Sequence, residues 1–256
     1  MYLNYTQSGY LVISPEDDCK AIVDAMLATD YSEEFCFADV FEAEFIARLM
    51  EAGFLVMSIG IENEKGEKNY LLLPKLHLVR SALFFDNLHV KKSIRRFLDR
   101  YELRADAEFE RIVDLCINKH GSDWLTPPLV ENIKKIRQLY KEKIISANDF
   151  YLRPTSSAYP ASFGLYRDGI LVAGEFGVIC GNVYTSYSGY FDETNAGTVQ
   201  IILAARYLET HGFSFFDLGM PLEYKNNLGA LDISPKRFVQ LFRRGDLVKR
   251  LDSFKS

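Results

Sequence analysis

The chain has 256 residues, 48% hydrophobic and 25% charged, with a formal net charge of −5. That composition suits one large globular domain or two small ones and excludes a disordered or fibrous protein. No uncharged apolar run reaches the roughly 18 residues of a membrane-spanning helix, and the start Met1-Tyr2-Leu3-Asn4-Tyr5-Thr6 lacks the basic-then-apolar order of a signal peptide. Cys19, Cys36, Cys116 and Cys180 are far apart and form no Cys-x-x-Cys pair. They suggest neither a zinc centre nor a disulfide framework and fit a reducing cytoplasm.

In chain order, Ser14 and Pro15 read as an N-cap and first residue of a helix over 16–29. Phe41, Phe45, Ile46 and Leu49 share one face of a second helix over 39–51, with Gly53 as its stop. Strands over 54–61 and 70–73 flank the turn Asn63-Glu64-Lys65-Gly66. Residues 1–74 thus read as a small N-terminal α/β domain ended by Pro74, and residues 75–256 as a second domain.

In that second part, 79–85 reads as a strand and 89–100 as a short basic helix with Val90, Ile94, Phe97 and Leu98 facing inward. Residues 106–119 and 127–143 read as amphipathic helices, and 148–160 as a loop rich in Pro, Ser and aromatics. Strands over 162–166, 170–179 and 183–190, joined at Arg167-Asp168-Gly169 and at Gly181-Asn182, make an antiparallel meander. A helix over 195–210 stops at His211-Gly212, a buried strand covers 213–218, and a last helix covers 235–244. This order resembles the core of a GNAT-type N-acyltransferase: an α+β fold with a mainly antiparallel sheet, flanking helices and central strands that splay to admit an acyl donor. The usual acetyl-CoA loop, Gln/Arg-x-x-Gly-x-Gly/Ala, is missing. Its helix opens Thr194-Asn195-Ala196-Gly197-Thr198, where the lone Gly197 reads as a packing glycine. No cofactor is expected.

Charge is unevenly spread. Residues 14–51 hold a local balance of −9, whereas 75–104 and 236–256 each hold +5. A basic face aimed at phosphates is one reading, and mutual neutralisation across the fold is the simpler one.

Several elements occur in a fixed order: Arg80 in Arg-x-x-Leu, Leu88-His89-x-x-x-Ser93-x-x-Arg96-Phe97, Trp124-x-Thr126, and Leu171-Val172-x-Gly174-x-x-Gly177-Val178-x-x-Gly181. Asn195-Ala196, Asp217 and Leu228-Gly229-Ala230-x-x-Ile233 follow. Over most of residues 39–244 the sequence resembles the leucyl/phenylalanyl-tRNA–protein transferases. The resemblance implies transfer of Leu or Phe, or another amino acid, from charged tRNA to a protein's α-amino group by aminolysis of an ester already activated, with no metal. The implied partners are aminoacyl-tRNA and an acceptor protein N-terminus, with no membrane partner.

In that family an Asp and a Gln two residues later, on one face of a strand, position the amine. Here they correspond to Asp217 and Gly219. Only the Gly219 backbone, or a water, remains at that position, and a side chain from elsewhere filling the gap, for example Glu175 or Tyr187, would favour the transferase reading. The plain alternative for Asp217 is a strand-end carboxylate that caps a loop. Tyr187 stands where the family has a Glu for the cationic acceptor, and Glu175 where a hydrophobic residue lines the Leu/Phe pocket. A carboxylate there needs a partner, so either Glu175 turns away or the pocket takes something polar or cationic. Tyr184, Ile201, Ala204 and Phe216 match other pocket positions, with packing as their alternative. Trp124 and Met57 match positions near the terminal adenosine and the aminoacyl group. Arg80, Lys91, Lys92, Arg95 and Arg96 are candidates for tRNA phosphates, and His89 reads equally well as structural. Two other functions stay open: a catalytically impaired relative that binds tRNA or peptide, and a GNAT-type acyltransferase with an altered donor.

Overall fold

A computed structural model of the chain describes residues 3–29, 31–63, 65–144, 152 and 155–252. The chain opens on a short antiparallel hairpin, β1 (Asn4–Tyr5) with β2 (Leu11–Val12). Helix α1 (Cys19–Ala28) is capped by Asp18, whose side chain accepts from the N–H groups of Lys20 and Ala21. Ser14, the cap expected from sequence, instead donates its N–H and hydroxyl to Asp17 Oδ2 in the preceding turn. Helix α2 (Ala43–Ala52) buries Phe45, Ile46, Leu49 and Met50 and ends at Gly53 as expected. Gly53 is left-handed (φ 106°) and its N–H reaches the carbonyls of Leu49 and Met50. Strands β3 (Leu55–Glu62) and β4 (Lys68–Lys75) form the expected hairpin. Pro74 lies inside β4 opposite Val56, and its carbonyl accepts from Cys36 N–H at 2.9 Å. It interrupts no element: the β3–β4 pairing runs through it from Leu55 with Lys75 to Glu62 with Lys68.

The larger sheet is built from β5 (Arg80–Leu83), β6 (Glu102–Ala105), β7 (Thr155–Arg167), β8 (Ile170–Gly181), β9 (Val183–Phe191), β10 (Phe215–Asp217) and β11 (Leu231–Ile233). Their spatial order is β11-β5-β10-β9-β8-β7-β6. Between them lie α3 (Lys92–Leu98), α4 (Phe109–His120), α5 (Pro127–Ile144), α6 (Ala196–Thr210) and α7 (Glu223–Asn227), and α8 (Pro235–Asp252) follows β11. The sheet is the mainly antiparallel, helix-flanked α+β arrangement expected, and the meander β7-β8-β9 is its centre. At its first turn Asp168 (φ 52°) and Gly169 (φ 79°) are both left-handed, the type I′ geometry of a two-residue hairpin.

Some expectations need correcting. Thr155–Pro160 belongs to β7 and pairs with β8 instead of looping, while 148–151 and 153–154 lie outside the described residues. Helix α3 is shorter than expected, starting after Lys91. Strands β6 and β11 and helix α7 are too short to show a period in sequence.

Helix α6 packs on β6 to β10, and α2, α4, α5 and α8 also contact β7, β8 or β9. β8 is consequently buried along its length except at Ile170, the pattern of a strand covered on both faces. The N-terminal segment shares a core with the sheet: Leu11, Phe45 and Leu49 belong to one cluster with Phe176, Val178 and Phe238.

β9, α6 and β10 form the parallel crossover of this sheet. Pairing runs through Phe215 with Val183, Phe216 with Tyr184 and Asp217 with Thr185, and then stops. β9 continues to Phe191. The other chain leaves toward β5, where Leu218 N–H donates to Ser81 O at 2.9 Å and Ser81 N–H to Gly219 O at 2.7 Å. An opening therefore forms between Ser186–Phe191 and the chain after Asp217.

Candidate active site

Asp217 stands at the vertex of this opening and is fully buried. Arg80 Nε donates to its Oδ1 at 2.9 Å and Arg80 Nη2 to Oδ2 at 2.6 Å. The Thr185 hydroxyl donates to Oδ2 at 2.8 Å and Gly219 N–H to Oδ1 at 3.0 Å. Burial is the largest single influence on Asp217 and opposes ionisation. Arg80, Gly219 and Thr185 together outweigh it and hold the carboxyl below its usual range. Arg80 is 1% exposed and lies over the Phe238 ring at 4.1 Å. It therefore leaves the set of phosphate ligands expected from sequence, because its guanidinium is sealed inside and already paired.

Gly219 (φ 73°) is left-handed. Its N–H is engaged by Asp217 and its carbonyl by Ser81. The space that a side chain would enter is bordered within 4 Å by His77 Nε2 and Leu55 Cδ1, both at 3.9 Å from an ideal Cβ. Glu175 and Tyr187, the fillers expected from sequence, do not approach this point. His77 is buried and its Nε2 has no hydrogen-bond partner. Burial, then the charges of Arg80 and Lys75, push its imidazole down to about 3, so it is neutral.

On β8 and β9 the pairing shifts between Phe176–Ser188 and Gly177–Ser186, which leaves Tyr187 as the extra residue of a bulge. Its hydroxyl accepts from Val56 N–H at 3.0 Å, and burial raises its ionisation well above the usual phenol. Tyr187 thus ties the sheet to the β3–β4 hairpin and offers no carboxylate to a cation. Its ring lies 6.4 Å from Trp124 and 6.0 Å from Phe176. The backbone next to Met57 joins this wall, since Ser58 N–H donates to Trp124 O at 3.0 Å. Trp124, Tyr187 and Met57 are therefore brought to one region, each half-buried.

Glu175 is 3% exposed and does not turn away to solvent. Its Oε2 accepts from the Ser186 hydroxyl at 2.9 Å. Burial lifts its carboxyl to about 7, against the opposing pull of Ser186, Gln200 and Lys225. Lys225 donates to the carbonyls of Leu218 at 2.5 Å and Met220 at 2.8 Å, and burial lowers its ammonium to about 8. Tyr184 and Phe216 are fully buried in one cluster with Ala204, and Ile201 packs against it. Gly197 is a packing glycine, since a Cβ there would meet the Phe191 ring at 2.9 Å. Lys91, Lys92, Arg95 and Arg96 are all exposed at α3. Among the described residues no group of His, Cys, Asp and Glu could hold a metal, and no helix is long and apolar enough to cross a membrane.

The sequence reading missed Thr185, His77, Gln200 and Lys225. Only Gln200 carried a signal, as a polar residue on the otherwise apolar run Val199–Ala205 of a helix.

A family profile described as leucyl/phenylalanyl-tRNA protein transferase matches residues 82–243. The chain belongs to this family. Asp217, Gly219, Glu175, Tyr187 and Trp124 lie inside the matched stretch, whereas Met57, His77 and Arg80 precede it. A leucyl/phenylalanyl-tRNA–protein transferase from Maridesulfovibrio salexigens is 25% identical over 169 residues, covering 63% of this chain and 63% of the relative. One from Azotobacter vinelandii is 27% identical over 164 residues, covering 62% and 65%. The alignments thus span less than two thirds of either relative. Among solved structures, a GCN5-related N-acetyltransferase from Kribbella flavida is 13% identical with a TM-score of 0.36, covering 87% of this chain and 74% of that one.

Proposed function

We propose that the protein transfers an amino acid from charged tRNA to the α-amino group of an acceptor protein. The observation that carries this reading is family membership combined with a sheet that opens beside the buried Asp217. The neutral amine attacks the ester carbonyl carbon, a tetrahedral oxyanion forms, and the bond to the ribose oxygen breaks. The amine's proton leaves to the ribose oxygen, and the ester bond that breaks supplies the driving force.

Asp217 acts in this reading through Arg80, Thr185 and Gly219 as the group that fixes the vertex. The hydrogen-bond acceptor nearest the vacant side of Gly219 is His77 Nε2. Neutral and unpartnered, it is suited to accept a hydrogen bond from the attacking amine. Lys91, Lys92, Arg95 and Arg96 meet tRNA phosphates, and Trp124 with Tyr187 offers an aromatic wall to the terminal nucleotide.

The test is transfer of radiolabelled amino acids from total charged tRNA to a panel of peptides differing at the N-terminal residue. Label appearing in peptide supports the reading. Binding of charged tRNA with no transfer to any peptide replaces the enzyme by a tRNA-binding relative.

A further inference from the structure

The chain just past Asp217 carries an inference that rests on the transferase reading and names a positioning residue for it. Pairing of β10 with β9 ends at Asp217 with Thr185. Beyond that point the carbonyls are divided between two partners. Gly219 O accepts from Ser81 N–H at 2.7 Å, next to Arg80–Leu83 of β5. Leu218 O and Met220 O, on either side of Gly219, both accept from the Lys225 ammonium, at 2.5 and 2.8 Å. Leu218 is 4% exposed and Lys225 6%.

A strand that ran on beside β9 would meet carbonyls with the N–H groups of β9. Here one ammonium takes two of them, because it carries three donors on a single atom. A buried carbonyl has to be paired somewhere, and this exchange of partners lets the chain part from β9 with its carbonyls satisfied.

Lys225 is itself firmly placed. Its N–H donates to Leu222 O at 2.9 Å, and its carbonyl accepts from the N–H groups of Leu228 at 3.0 Å and Ala230 at 3.1 Å. The end of α7 is tied in turn to the chain before α3: His89 N–H donates to Leu228 O at 2.9 Å, and a Cβ at Gly229 would stand 1.9 Å from Asn87 O. Burial is the largest influence on the ammonium and works against its charge, as does Arg80, whereas Asp217 and Glu175 favour it. An apolar side chain would escape that penalty but would leave both carbonyls without this donor.

We propose that Lys225 is the positioning residue that holds the sheet open beside Asp217. It keeps the chain from Leu218 to Met220 away from β9, and so sets Gly219 and the space bordered by His77 in which the acceptor amine is received. Lys225 touches neither amine nor ester and acts through the two backbone carbonyls.

The test uses the full chain and compares wild type with Lys225→Met, Lys225→Gln and Lys225→Arg in steady-state transfer of radiolabel from total charged tRNA to peptide. Lys225→Met, similar in length and without a donor, should lower kcat about 10- to 100-fold, the scale of a misplacement of about 1 Å away from the chemistry. Lys225→Arg brings back donors and charge and should recover most of that loss. Lys225→Gln, with donors and no charge, should fall between the two. The KM for charged tRNA should hold in all three, because the phosphate contacts lie on α3. In hydrogen exchange read by mass spectrometry, the amides of residues 218–220 should exchange faster in Lys225→Met while those of β8 keep their protection. Should Lys225→Met fail to fold, Lys225→Gln carries both comparisons. Transfer unchanged in the variant, an equal loss of kcat in Lys225→Met and Lys225→Arg, or unaltered exchange at 218–220 overturns the inference and leaves the transferase reading standing. Absence of transfer by wild type overturns both.

Discussion

Replacing Asp217 by Asn keeps its size and removes its charge. In the folded protein the carboxylate receives Arg80 at 2.6 and 2.9 Å, Thr185 at 2.8 Å and Gly219 N–H at 3.0 Å, with no solvent exposure. The substitution leaves a guanidinium that is 1% exposed without a counter-charge. Breaking one side of a buried pair costs about 3–5 kcal/mol, a large share of the ~5–15 kcal/mol that holds an ordinary domain together. Urea denaturation followed by tryptophan fluorescence, with Trp124 as the single indole, should therefore show a clearly lower midpoint for Asp217→Asn. The double variant Arg80→Met with Asp217→Leu should lose less than the two single losses combined, because no buried charge remains unpaired. The acid side follows the same logic. The folded carboxyl sits below its ordinary value, so its contribution is present above about pH 4. It fades as pH falls through the lowered folded value, and Asp217→Asn should lack that slope. An unchanged urea midpoint with transfer reduced about 100-fold would refute this reasoning and make Asp217 a group that acts on the amine itself.

Replacing Lys92, Arg95 and Arg96 together by Ala should weaken tRNA binding and flatten its log–log salt dependence by about two to three; unchanged affinity in filter binding would remove α3 from the interface. Glu175→Gln should stabilise the protein at pH 8 by up to about 3 kcal/mol, since a buried carboxyl raised to about 7 is penalised when ionised. Wild type should correspondingly gain stability on going from pH 8 to pH 5.5, a gain that the variant lacks in urea titrations. Gly219→Gln should not raise transfer and should cost about 1–2 kcal/mol, because φ of 73° is left-handed; a rise in label transfer would show that the missing amide is what limits the rate. His77→Leu, which removes the acceptor beside Gly219 at similar volume, should lower kcat for transfer about 10- to 100-fold while the urea midpoint holds.

The meander, its turn at Arg167-Asp168-Gly169, the crossover helix and the stop at Gly53 were legible in the sequence, because period, turn chemistry and glycine preferences act over a few residues. The resemblance to the transferase family also set Glu175 at a position where a hydrophobic residue lines a pocket, a carboxylate that would need a partner. Tertiary structure decided the rest. Arg80 and Asp217 are 137 positions apart, and nothing local says that a member of a basic segment is buried as that carboxylate's counter-ion. Ser14 lost the cap to Asp18, and Thr155–Pro160 became strand because β8 supplied its hydrogen bonds. Tyr187 became the extra residue of a bulge, facing Val56 instead of an acceptor. His77, in a segment with no period, came to the empty side of Gly219 only because the chain after Asp217 turns away to pair with Ser81. Short-range preferences fix elements, whereas the pairing of a buried charge or the neighbour of a missing side chain depends on which distant strands the core brings together.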